Sequence, residues 1–191
     1  MTRQTVIAYW LIPCETAHSF FQRMINDLAR RYDAPIFEPH VTVHVGADQT
    51  DSAAKALEKV ASKCGLVRQT PLRIDQSAEF IKTLFVQFAM TAELGKINGV
   101  IRHEANDSSQ YELKPHLSLL YKNLAAADRR ELAVSINLPL RKVTFDAIKA
   151  VRCVSPTKSR ADVEAWRVVG VTVLSSFRAK RSEVEESRGV I

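Results

Sequence analysis

The chain has 191 residues, is 46% hydrophobic, and carries a net charge of +6 with a pI near 9.4. That length is enough to bury a substantial core and fits one domain, or one domain built of two halves. Six glycines and seven prolines exclude low complexity, and the mild basicity leans toward anionic partners such as nucleotides, RNA ends and phosphates.

Residues 5–12, TVIAYWLI, are β-branched and aromatic and predict a strand. The apolar run is too short to span a membrane and has no small-residue cleavage site, so a soluble, cytoplasmic protein without a membrane partner is expected. The segment ETAHSFFQRMINDLARRY places Phe20, Phe21, Met24, Ile25 and Leu28 at helical spacing, with Thr16 as cap. Arg30 and Arg31 close that helix, where positive charge suits the dipole. Pro35 and Pro39 bracket a turn before HVTVHV, 40–45, which alternates as a strand.

A small-residue helix over 51–64 ends at Gly65, and 72–80 with 83–90 reads as a strand hairpin. Residues 92–104 carry Leu94, Ile97, Val100 and Ile101 on one face, although Gly95 and Gly99 weaken that helix by about 1 kcal/mol each. A polar loop, NDSSQ, precedes a strand over 116–121 and a helix over 126–136. Two long strands, 141–154 and 165–174, are joined by a polar loop. From Phe177 the chain is charged and reads as a solvated tail. The expected division is one domain over 1–177 and a charged tail over 178–191, with helices and antiparallel hairpins mixed as in an α+β fold.

Within this frame one pattern occurs twice: Pro39-His40-Val41-Thr42-Val43 and Pro115-His116-Leu117-Ser118-Leu119. With this composition Pro-His is expected by chance about 0.2 times, so two copies with the same sequel carry information. In a strand, residues i and i+2 share a face. His40 is therefore expected beside Thr42, and His116 beside Ser118, with Val41, Val43, Val45, Leu117 and Leu119 turned to the core. An imidazole titrates near neutrality, so one can take a proton from water while another gives one to a leaving oxygen. Hydroxyls can donate to phosphate oxygens and favour the charge that builds there. Two histidines and two hydroxyls facing one cleft describe a metal-free phosphodiester hydrolase.

These two tetrads resemble the paired H-x-[ST]-x motifs of the two-histidine (2H) phosphoesterase superfamily. YWLIP, FEPHVTV, PHLSLLY and the late AWRVV are most similar to its cyclic phosphodiesterase branch. The resemblance spans roughly residues 5–174. It implies a bilobal α+β fold, two pseudo-symmetric lobes of antiparallel sheet and helices around a central cleft. It implies action on ADP-ribose 1″,2″-cyclic phosphate or nucleoside 2′,3′-cyclic phosphate, with related branches acting on 2′-5′ linkages and RNA ends. No metal or other cofactor is implied, and a monomer is expected. The catalytic pair maps to His40 and His116, and the phosphate-holding hydroxyls map to Thr42 and Ser118. Tyr121 matches a tyrosine that lines the substrate site, although strict alternation turns it away from His116 unless a strand end or bulge intervenes. His116 as base and His40 as acid is the preferred assignment, with the reverse left open by the pseudo-symmetry. A nucleotide- or RNA-binding module without turnover is the rival class.

Other residues read less sharply. Alternation puts His44 on the cleft face about 13 Å from His40, at the rim or in solvent. His18 and His103 read as helix-surface residues, and Lys114 and Lys122 as solvated strand ends. Trp10 and Trp166 suit either base stacking or strand packing, and Phe85 and Phe88 the core. Cys14, Cys64 and Cys153 show no CxxC or zinc spacing and read as reduced thiols, with a Cys64–Cys153 bridge left open. No Walker loop, G-x-G-x-x-G or G-x-S-x-G is present.

Overall fold

The computed structural model describes residues 3–105 and 111–175. The NDSSQ loop and the expected tail lie outside the described residues. Among the described residues, eight strands and five α-helices alternate with the α+β character expected. The strands are β1 (Gln4–Pro13), β2 (Val41–Ala47), β3 (Val67–Gln69), β4 (Pro71–Gln76), β5 (Leu84–Phe88), β6 (His116–Leu120), β7 (Val143–Ser155) and β8 (Arg167–Val173). The helices are α1 (Glu15–Tyr32), α2 (Thr50–Lys63), α3 (Ala92–Glu104), α4 (Ala126–Ser135) and α5 (Arg160–Glu164). None of the described helices is long and apolar enough to cross a membrane.

All strand pairs are antiparallel and run in the order β3-β7-β1-β2-β6-β5-β4, with β8 also on β7. β1, β2, β3, β7 and β8 form one lobe of this sheet, and β4, β5 and β6 the other. The lobes meet at the β2–β6 pair, in register at Val41 and Leu117. The lobes are not the two halves of the chain. The hairpin that follows β2, β4–β5, joins β6, whereas the hairpin that follows β6, β7–β8, joins β1. Helices cross over as well, since α1 packs on β6 and α3 on β2. Each tetrad strand is thus backed by a helix from the other half of the chain.

The core lies between the helices and one face of the sheet. α1 contributes Phe21, Ile25 and Leu28, and burying such side chains stabilises by about 1.5–3 kcal/mol each. α2 approaches β8 so closely that a Cβ on Gly170 would lie 2.7 Å from Leu57 Cδ1, and that side chain would have to shift to admit it. α3 forms despite its two glycines, because Thr91 caps it by accepting from Leu94 N and because Leu94, Ile97 and Ile101 are buried.

Three local expectations are revised, and one short strand joins the expected elements. α1 starts after Cys14 rather than at a Thr16 cap, with no side-chain cap hydrogen bond. The expected 72–80 strand stops at Gln76. There Ser77 Oγ donates to Lys82 O and accepts from Glu79 N, winding the chain into a 3₁₀ turn at Phe80–Lys82. The loop between β7 and β8 contains α5, nucleated by a capping box between Ser159 and Asp162. β3 is only three residues long, too short to leave a period in the sequence.

Candidate active site

Each tetrad histidine stands at the end of an X-Pro-His arm. His40 Nδ1 lies 2.6 Å from Glu38 O, and His116 Nδ1 lies 2.7 Å from Lys114 O. Proline explains why the arrangement recurs. It fixes its own φ and holds the residue before it extended, so the carbonyl two residues before the histidine is preset to meet the ring. A carbonyl only accepts, so Nδ1 carries the hydrogen and Nε2 is left for chemistry.

The β2–β6 register then brings the two arms together. Val41 lies opposite Leu117 on antiparallel strands. One step in either direction sets His40 opposite Ser118 and Thr42 opposite His116. Residues so placed share a face, with Cβ atoms about 5 Å apart. Val41 and Leu117 turn to the opposite face and are buried in the core. His40, Thr42, His116 and Ser118 all line one cavity of about 250 Å³.

Alternation fails just beyond these residues, at the same place in both strands. Trp10 pairs with Thr42 while Tyr9 pairs with His44, leaving Val43 as an extra residue. Phe85 pairs with Ser118 while Leu84 pairs with Leu120, leaving Leu119 as an extra residue. Each strand therefore has a bulge three residues after its histidine, and the phase flips. The expectation that His44 faces the cleft is overturned: it is fully buried on the core side, where Asn98 Nδ2 lies 3.2 Å from its Nδ1. Val45, expected in the core, lines the cavity instead. The matching flip turns Tyr121 inward, and it too lines the cavity. Its ring stacks on Phe37 at 3.7 Å, and burial raises its phenol pKa.

The surrounding wall is aromatic. Trp10 lies flat on the His40 ring at 3.8 Å, and Trp166 meets Trp10 edge-on at 5.0 Å. Phe85 is buried, but on the site side, in a T-shaped contact with His116 at a centroid separation of 5.4 Å, whereas Phe88 is in the main core. Tyr111 reaches over the cavity and donates to Thr42 O at 3.2 Å, and burial pushes its phenol up to about 12. Trp166 Nε1 is buried with no partner among the described residues, a donor at the cavity wall that a bound acceptor would satisfy. Ser118 Oγ donates to Ile81 O at 2.8 Å.

Burial shapes the titration of both imidazoles. His40 is lowered to about 4, chiefly by burial, with the Glu38 carbonyl pulling back and nearby His116 pushing further down. His116 is also lowered, again chiefly by burial. Mutual repulsion means that a second proton on the pair is resisted.

Lys114 and Lys122, expected as solvated strand ends, each have a partner. Lys114 pairs with Glu112 at 2.8 Å, and Lys122 donates to Asp33 O at 2.9 Å. The cations that act on the histidines are Lys82, near His116, and Lys149, near His40. Sequence reasoning missed them, along with Tyr111 and Phe37, because they arrive from other elements with no motif of their own. His18 is not a free surface residue, as its Nε2 lies 3.5 Å from Glu38 Oε1, whereas His103 is exposed as expected. Cys64 is in the main core and Cys153 in the cluster on the opposite sheet face, and all three cysteines are free, which closes the question of a bridge. Among the described residues no group of three or more His, Cys, Asp or Glu side chains is arranged to hold a metal.

The pattern of a family described as cyclic phosphodiesterase-like protein matches residues 5–174. The chain belongs to that family. It is accordingly a phosphodiesterase of the two-histidine superfamily, as the paired tetrads imply. A cyclic phosphodiesterase from Arabidopsis thaliana is 27% identical over 177 residues, which cover 91% of this chain and 97% of that protein. Escherichia coli LigT in apo form superposes with a TM-score of 0.58 at 13% identity, covering 92% of this chain and all of LigT. LigT complexed with 3′-AMP gives a TM-score of 0.55 at 14% identity, with the same coverage. At these identities the two LigT structures speak for the fold.

Proposed function

We propose that this cyclic phosphodiesterase-like chain opens a small cyclic phosphate, ADP-ribose 1″,2″-cyclic phosphate or a nucleoside 2′,3′-cyclic phosphate, by paired-histidine catalysis without a metal. The observation that carries the reading is the β2–β6 register, which sets an imidazole and a hydroxyl of each strand across from those of the other. The two Nε2 atoms approach one phosphorus centre from two sides. One neutral imidazole takes a proton from water as its oxygen bonds to phosphorus. The other, protonated, gives its proton to the ring oxygen as the P–O bond breaks. Thr42 and Ser118 donate to the remaining phosphoryl oxygens.

A cavity of about 250 Å³ with apolar and aromatic walls supports a small nucleotide ligand. LigT has been crystallised with 3′-AMP, and the plant relative is a cyclic phosphodiesterase, which together support a small cyclic phosphate as substrate. The substrate's negative charge raises both histidine pKa values and draws in the single proton that the pair needs.

The roles of base and acid are open to one distinction. The resemblance makes His40 the acid, whereas the deeper burial of His40 favours the proton on His116. A phosphodiester with an acidic phenol leaving group needs no protonation, so it rescues loss of the acid and not loss of the base.

The test is incubation with 2′,3′-cyclic mononucleotides, ADP-ribose cyclic phosphate and an oligonucleotide with a 2′,3′-cyclic end, all in chelator. The expected result is ring opening of a small substrate at the higher kcat/KM. Preference for the oligonucleotide would shift the reading to an RNA-end enzyme. Salt-sensitive binding with no product from any substrate would overturn hydrolysis in favour of a binding module.

A further inference from the structure

We infer that Lys149 and Glu38 are positioning residues, whose ion pair fixes the Glu38–Pro39–His40 arm so that His40 presents Nε2 to the cavity. The inference rests on the reading of His40 as a catalytic imidazole and adds how that imidazole is held.

Lys149 Nζ donates to both carboxylate oxygens of Glu38, at 2.6 and 2.8 Å. Both side chains are largely buried, with exposures of 23% and 28%, so water screens the pair less than it would a surface bridge. His18 Nε2 stands 3.5 Å from the same carboxylate and restrains it from α1. The main-chain oxygen of Glu38 in turn accepts from His40 Nδ1. Only Pro39, with its fixed φ, separates the clamped residue from the histidine. Lys149 is also the registered partner of Trp10, the residue whose ring lies flat on His40. The lysine that holds the arm and the indole that sets the ring plane therefore stand side by side on β7 and β1. A shift of the Glu38 peptide would carry the His40 donor bond with it.

The His116 arm reaches the same end by other means. There Pro115 O accepts from Phe88 N at 3.0 Å and from Gln87 Nε2 at 2.7 Å, tying the arm to β5. The Lys114–Glu112 pair on that arm is exposed, at 64% and 74%, and anchors it to no other element. Charge does at His40 what neutral hydrogen bonds do at His116.

The experiment compares Lys149→Met, Glu38→Gln, the double variant and Lys149→Arg on a 2′,3′-cyclic mononucleotide. Misplacing a catalytic group costs up to about 100-fold. Each single variant is expected to lose about 10-fold or more in kcat, with KM within about twofold. The double variant should lose no more than either single, because both act through one clamp, and Lys149→Arg should recover most of the rate. Nitrogen-15 spectra of histidine-labelled free protein should show one His40 tautomer in the wild type and a mixture in Lys149→Met. Unchanged kcat in Glu38→Gln, which is near-isosteric and keeps the fold testable, would overturn the inference. So would losses that multiply in the double variant. A loss seen only in KM, and only with Lys149→Met, would make Lys149 a direct phosphate contact instead. Should the wild type open no cyclic phosphate, the proposed reaction fails on its own, and the tautomer spectra still decide whether the clamp exists.

Discussion

The two arms that carry the histidines are built alike and held differently. Both use a proline to preset a carbonyl against Nδ1, and both feed a strand with a bulge three residues after the histidine. The His40 arm is gripped by an ion pair to β7 and roofed by an indole. The His116 arm is tied by Gln87 and the Phe88 N–H to β5, and its ring meets Phe85 in a T-shaped contact. The backbone design is shared, and the side chains that complete it are not. Two equal frames thus hold two imidazoles in unequal surroundings, which an acid–base pair needs if its members are to take different protonation states.

The largest effect expected of any substitution tests what the arms share. His40→Ala and His116→Ala should each cut kcat by about 10²–10⁴-fold while the melting transition stays cooperative. Steady-state kinetics beside thermal unfolding check this. A variant that retains more than a tenth of the rate would remove its histidine from the chemistry and break the equivalence of the arms.

A smaller effect tests how far the hydroxyls differ. Thr42 faces the cavity, whereas Ser118 already gives its proton to Ile81 O and must swing away to meet a phosphate oxygen. Thr42→Ala is therefore expected to cost more kcat than Ser118→Ala, about 10–100-fold against less than 10-fold, since a single preorganised donor is worth up to 10²–10³. Equal losses would mean that the serine reorients freely.

The smallest effect concerns stability. His40 is lowered to about 4 from an ordinary 6.5, so the unfolded chain binds the proton first. Its contribution to stability is complete above about pH 6.5 and is lost as the pH falls toward 4, and His116 adds in the same direction. Urea midpoints at pH 7 and pH 5 should drop less for His40→Asn than for the wild type. An identical drop would show that His40 is not held neutral by burial.

Much of this was legible in the sequence, for physical reasons. Repetition marked the tetrads, and period-two spacing put each histidine beside its hydroxyl, because both effects are local to five residues. Alternation then misplaced His44 and Val45, since a bulge arises from pairing with β1 and leaves no trace in β2 alone. The same event in β6 brought Tyr121 inward, by one of the two routes that its position required. Lys82, Lys149, Phe37 and Tyr111 escaped notice because only the tertiary fold brings them to the site. The exchange of hairpins between lobes was equally hidden, as sequence order suggests that each half keeps its own strands. The capping box Ser159-x-x-Asp162 was readable, and it marks α5.

The central claim is that His40 and His116 act on one phosphorus centre. Titrating histidine-labelled protein with a nucleoside 2′- or 3′-monophosphate and following the imidazole nitrogens tests it most directly. Signals from both rings should move together along one binding curve, while exposed His103 stays still. Movement of one ring alone, or two curves with different midpoints, would contradict the account.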